Sequence, residues 1–189
     1  MEYFDICDAA GNPTGAIVER DVAHREGIRH RTAHVWVVRR ARGRWQVLLQ
    51  KRSVNKDSFP GKYDTSSAGH IPAGSGPLES AIRELGEELG IHAAPEALEY
   101  AGWFDIRYEK AFHGRMFRDN EYCTVYVYRG PVRTEALSLQ AEEVERVDWF
   151  DLEEVWAELP DRRDLYCVPT EGMAVLRSFL RGEADERAD

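Results

Sequence analysis

The chain has 189 residues, 43% of them hydrophobic and 11% aromatic, enough apolar surface for one folded domain with a core of its own. Its formal net charge of −9 argues against non-specific binding of long nucleic acid, which needs a basic face, and leaves open a small phosphorylated ligand held by a local basic pocket. No run approaches the ~20 apolar residues of a membrane span.

Three scattered cysteines, Cys7, Cys123 and Cys167, read as reduced thiols rather than a disulfide framework or zinc site. The opening MEYFDICDAAGN lacks the basic and apolar regions of a secretory signal. Both point to a cytoplasmic protein. Residues 2–7 and 15–20 read as strands of a hairpin that turns at Asp8–Pro13. Residues 21–32, DVAHREGIRHRT, form a His- and Arg-rich connector. Ala33–Val38 and Trp45–Lys51 are apolar strands joined by a turn at Arg40–Arg44. The loop RSVNKDSFPGKYDT, turning at Pro60-Gly61, has the length of a functional loop. Thr65–Ala68 is a short strand feeding the stretch GHIPAGSGPLESAIRELGEELGI, Gly69–Ile91.

That stretch predicts a glycine-rich loop, one helix and a glycine stop. Pro77 suits the first helical position, Glu79 the positive N-terminal end, and Gly90 the left-handed turn that closes the helix. Leu78, Ile82, Leu85 and Leu89 fall on one side at helical spacing, and Glu84, Glu87 and Glu88 fall on another. Carboxylates crowded within one turn repel each other, and a divalent cation removes that cost. A hard ion such as Mg²⁺ takes oxygen ligands and leaves positions for phosphate oxygens. The alternative is a solvated acidic helix face.

Downstream, strands are expected near Ala97–Tyr108 and Glu121–Arg129, with a mobile polar segment, 109–120, between them. Val144–Phe150 is a further strand, Asp151 an N-cap, and Thr170 with Glu171 opens a last helix ending near Leu180. One domain is expected over 1–182, followed by a disordered acidic tail, 183–189.

The spacing of Gly69, Ser75, Arg83-Glu84-Leu85, Glu87-Glu88 and Gly90-Ile91 resembles the signature of the Nudix hydrolases, with Ser75 where that family usually has Glu. The resemblance implies an α/β/α sandwich with a mixed β-sheet. It also implies that Glu84, Glu87 and Glu88 are metal ligands for Mg²⁺ or Mn²⁺, oriented by Arg83.

The flanks resemble one Nudix branch, the metal-dependent isopentenyl diphosphate isomerases. The similar pieces are VERDVAH, IRHRTAHVWVV, QKRSVNKDSFPGKYDTSSAGH and DNEYC. By that likeness His24, His30, His70, Asp119 and Glu121 form a second metal site, a donor set suited to Mn, Zn or Fe; ordinary loop histidines are the alternative. Arg20, Arg52 and Lys56 match residues that grip diphosphate. The isomerase cysteine before Gly-His is replaced by Ala68, and the box glutamates, largely lost in isomerases, are kept.

The expected function is therefore metal-dependent hydrolysis of a diphosphate linked to an organic group, with water attacking phosphorus. Glu84 or Glu88 is the first candidate for general base, then Glu121, Glu142, Glu143 or Glu145. An isomerase and a non-catalytic diphosphate-binding module remain as alternatives. Trp36, Trp103, Phe104, Tyr108, Phe112 and Phe117 are core aromatics or stacking surfaces for the organic group. The partner is a small-molecule diphosphate, and a homodimer is the prior for any self-association.

Overall fold

A computed structural model describes residues 1–56 and 58–186. Strands β1 (Tyr3–Cys7) and β2 (Pro13–Glu19) form a separate antiparallel hairpin. Helix α1 (Arg20–Glu26) follows and is closed by Gly27 in the left-handed region, φ 69°. The connector read from the sequence is thus half helix. Its seven residues carry too little apolar periodicity to announce one, and it is short enough to depend on packing against its neighbours.

The main sheet has seven strands. They are β3 (His30–Ala41), β4 (Arg44–Arg52), β5 (Tyr63–Asp64), β6 (Ser67–His70), β7 (Leu98–Phe112), β8 (Arg115–Tyr128) and β9 (Val144–Asp151). Their order is β5-β4-β3-β8-β7, with β6 also paired to β3 and β9 to β4. The β3–β8 pair is parallel and its neighbours are antiparallel, so the sheet is mixed.

Strand β3 is buried on both faces, hence its nearly unbroken apolar run. Ala33, Val35 and Val37 meet Ala81, Leu85 and Leu89 of α2 (Pro77–Leu89). Trp36 and Val38 face α3 (Leu152–Glu158) and α4 (Thr170–Glu186) through Leu152, Val155, Met173 and Leu176. Each buried leucine of this kind contributes roughly 1.5–3 kcal/mol. The result is the expected α/β/α sandwich.

Two expectations change. The polar segment 109–120 is the far end of the β7–β8 hairpin, which pairs from Leu98↔Tyr128 to Phe112↔Arg115 with one bulge between Tyr100 and Gly102. It turns on His113 and Gly114, both at positive φ. The last helix continues past Leu180 to Glu186, because Ala and Glu sustain a helix through Gly182. The expected tail disorder at 187–189 lies outside the described residues. Asp151 caps α3 as expected, accepting from the backbone N–H groups of Glu153 and Glu154 at 3.1 Å each. Among the described residues, no helix is long and apolar enough to cross a membrane.

Candidate active site

Helix α2 lies across one face of the sheet and meets a cavity of about 760 Å³ through Glu84, Glu87 and Glu88 in its C-terminal half. Gly69 at the end of β6 lies so close to Glu84 that a Cβ there would run into the carboxylate. Arg83 reaches Glu84 Oε1 and Glu87 Oε2, each at 2.8 Å, and donates to the carbonyl of His70 at 3.3 Å. It therefore ties two box glutamates to the strand that enters the box. Glu88 is buried, and its Oε2 accepts from Gln50 Nε2 at 3.2 Å and from the Ala68 N–H at 3.3 Å. Burial pushes its carboxyl up to about 7, and the neighbouring Glu84 adds to the shift. Glu84 is raised too, by burial first and by Glu87. Glu87 is the exposed member.

The second cluster forms where β3, β6, β8 and α1 meet. The register pairs His30 with Glu121 and Thr32 with His70. One donor atom from each of His24, His30, His70 and Glu121 lies within 4.8 Å of the others. His24 Nδ1 lies 3.0 Å from the Arg20 carbonyl and His30 Nδ1 2.8 Å from that of Ile28. A carbonyl only accepts, so both Nδ1 atoms carry the proton and both Nε2 lone pairs face inward. His24 Nε2 and His70 Nε2 stand 3.3 Å apart, while His30 Nε2 and Asp119 Oδ1 are buried without partners. Glu121 Oε1 is 3.8 Å from His30 Nε2 and 3.6 Å from His70 Nε2. Burial drives His24 down to about 3, with His30 beside it, and drives Glu121 well above its usual range, with Asp119 beside it. Neutral imidazoles with inward lone pairs and orphaned buried atoms are the chemistry of a metal-ligand set, so these residues fit a divalent transition ion. Phe4 roofs the cluster, stacked on His30 and His70 at centroid distances of 4.9 and 4.5 Å.

Both clusters open into the one cavity. Glu84, Glu87, Glu88, His24, His70, Asp119 and Glu121 line it. Arg20, Arg52 and Lys56 line it as well, but each already holds a carboxylate. Arg20 pairs with Glu2 at 2.8 Å, Arg52 with Asp64 at 3.0 Å, and Lys56 with Glu143. Of the later carboxylates, Glu142 and Glu143 line the cavity; Glu145 is instead paired with Lys51 at 2.9 Å. Tyr108 and Phe117 line the cavity, whereas Trp36 and Phe104 are core. Trp103 is exposed and stacked on Tyr122.

Ser75, the departure from the expected glutamate, does not line the cavity. The loop is held from outside the box: Asp5 Oδ2 accepts from the Gly74 N–H and from Arg31, each at 2.9 Å, and Arg31 donates to the Ser75 carbonyl at 3.1 Å.

Arg107, Arg163, Thr32 and His34 also line the cavity and were not singled out from the sequence. A signal existed for the last two: His30, Thr32 and His34 alternate, so one face of β3 is polar at this end and apolar at Trp36 and Val38. Placing the start of the strand at Ala33 hid it.

The NUDIX domain family matches residues 28–168. The chain belongs to the Nudix hydrolase family. Nudix hydrolase 3 of Arabidopsis thaliana is 42% identical over 155 residues, 81% of this chain, although the chain spans only 20% of that protein's length. An isopentenyl-diphosphate Delta-isomerase of Shigella flexneri is 32% identical over 82% of this chain and 79% of its own. Among solved structures, the Deinococcus radiodurans protein DR0079 superposes with a TM-score of 0.66 at 18% identity, covering 93% of this chain and 98% of that one, a likeness of fold.

Proposed function

We propose that this Nudix protein hydrolyses a diphosphate linked to an organic group, with water attacking phosphorus. Mg²⁺ or Mn²⁺ is held by Glu84, Glu87 and Glu88, and a second divalent ion by His24, His30, His70 and Asp119, with Glu121 able to complete either set. The observation that carries the reading is the convergence of box carboxylates, the histidine cluster and Arg20, Arg52 and Lys56 on a single cavity.

When bound, such an ion neutralises charge on the phosphates and acidifies a water. The chain's own residues do the rest. Arg83 fixes the directions of Glu84 and Glu87. Arg52 and Lys56 give up Asp64 and Glu143 for phosphate oxygens, Arg52 in bidentate geometry. Glu88, whose carboxyl burial pushes up to about 7, receives the proton of the attacking water. Tyr108 and Phe117 supply the wall against which the organic group rests. Free thiols at Cys7, Cys123 and Cys167 accord with a reducing, cytoplasmic setting.

A second reading, isomerisation of a prenyl diphosphate, is favoured by the assembled histidine cluster. It is disfavoured by Ala68, which puts a methyl where isomerase chemistry needs a thiol. A panel of nucleotide, sugar and prenyl diphosphates, incubated with Mg²⁺ or Mn²⁺ and followed for phosphate release and double-bond migration, separates the two. Phosphate release supports hydrolysis, conversion of isopentenyl diphosphate without it supports isomerisation, and ligand-stabilised melting without turnover leaves a binding module.

A further inference from the structure

We infer a third metal position, beneath the cavity floor, formed by His34, Cys123 and the second oxygen of Glu121. It shares Glu121 with the histidine site of the proposed function, yet requires neither that site nor the box to be filled.

The parallel register of β3 and β8 places Thr32 beside Cys123 and His34 beside Val125, two and four residues along from His30 and Glu121 on the same sheet face. Glu121 therefore looks two ways. Its Oε1 faces His30 and His70. Its Oε2 turns the other way, accepting from Thr32 Oγ1 at 3.1 Å and lying 3.5 Å from Cys123 Sγ. One donor atom from each of His34, Glu121 and Cys123 lies within 4.8 Å of the other two. All three residues are buried, and His34 is only 5% exposed.

His34 is the decisive member of the three. Its Nδ1 is buried without a hydrogen-bond partner. The ring is clamped edge-on by Phe104 at a centroid distance of 5.2 Å and stands across from Ala68, so it lines the cavity without touching either cluster's hydrogen bonds. A buried imidazole left unsatisfied costs stability, and a cation between it, a thiol and a carboxylate removes that cost. One imidazole, one thiolate and one carboxylate are a three-ligand set of the kind that leaves a fourth position open, and the thiolate selects Zn²⁺ or Co²⁺ over Mg²⁺. The donors need to close by no more than about an ångström to reach Zn–N and Zn–S bond lengths of ~2.0 and ~2.3 Å. Binding exchanges the Cys123 thiol proton for the metal, and the proton leaves to solvent. Glu121 would offer one oxygen to each of the two sites.

The test is equilibrium dialysis of the metal-stripped full chain against Co²⁺ in excess Mg²⁺, which keeps the box carboxylates occupied. The absorption spectrum and bound cobalt are then measured. Wild type is expected to take up about two cobalt ions per chain and to show a thiolate-to-cobalt charge-transfer band in the near ultraviolet. Cys123→Ser should lose the band and one ion, and His34→Gln should weaken the band; His30→Ala removes the neighbouring ion while the band persists. A wild-type protein with one ion and no thiolate band overturns the site and returns His34 to the cavity wall as a substrate contact. A band that survives Cys123→Ser overturns it as well. If the serine variant does not fold, the wild-type spectrum and His34→Gln decide alone. Because none of these readings uses turnover, they stand apart from success or failure of the hydrolysis assay.

Discussion

The box helix and the histidine cluster hold similar densities of titratable groups and solve the problem differently. On α2 the carboxylates have protein partners: Arg83 serves Glu84 and Glu87, while Gln50 and the Ala68 N–H serve Glu88. The protein itself thus holds these carboxylates in position. In the histidine cluster the Nε2 atoms of His24 and His70 face each other, and the Nε2 of His30 has no hydrogen-bond partner among the described residues. There an ion would take the place of the missing hydrogen bonds. The expectation that only a cation relieves crowding among the box glutamates therefore applies better to the buried imidazoles than to the helix from which it was drawn.

The largest separation of the two regions comes from single substitutions. Glu88→Gln should lower turnover by roughly 10²–10⁴-fold, the usual share of an acid–base group, and leave the histidine-site ion in place. Unchanged turnover removes Glu88 from the chemistry. Phe4→Ala, which unroofs His30 and His70, should destabilise the fold by about 3–5 kcal/mol in chemical denaturation and release the ion. A loss below 1 kcal/mol with the ion retained would mean the hairpin merely covers the site. Arg83→Met should weaken Mg²⁺ activation about 10–100-fold with the histidine-site ion unaffected, as expected for a group that orients ligands. Loss of both ions together would join the two regions into one site.

The regions also carry opposite pH slopes. Glu88 rises from 4.5 to about 7 on folding, by burial first, so the folded metal-free protein holds a proton that the unfolded chain releases in that window. Its contribution to stability falls as pH rises through the window. His24 drops from 6.5 to about 3, again by burial first, so its contribution is present above 6.5 and is lost as pH falls. Thermal melts of metal-free Glu88→Gln should flatten the neutral side of the profile, and those of His24→Gln the acid side, each on the order of 1–3 kcal/mol. Reversed signs would show that the two burials are misassigned.

The sheet, the box helix and the Asp151 cap were legible because each rests on local rules: apolar runs, helical spacing, and a short polar residue before a helix. Helix α1 was not, since its register is set by packing and its sequence is mostly charge. The extent of the β7–β8 hairpin was hidden for a similar reason, because strand pairing, not side-chain alternation, extends it through Glu109–Asn120. For the site, family likeness supplied the ligands, but not the fact that Arg52 and Lys56 stand already paired or that Asp5 and Arg31 hold the loop at Ser75. Asp64 meets Arg52 through the β4–β5 pairing, Glu143 meets Lys56 beside the β4–β9 pairing, and Asp5 reaches the loop from the β1–β2 hairpin.

The most direct measurement is the Mg²⁺-dependent initial rate of phosphate release from the best diphosphate of the panel. It should be made on wild type and Glu88→Gln with histidine-site metal content matched by elemental analysis. A hundredfold or greater fall at equal metal content is the predicted result; equal rates would contradict the assignment of hydrolysis to the box.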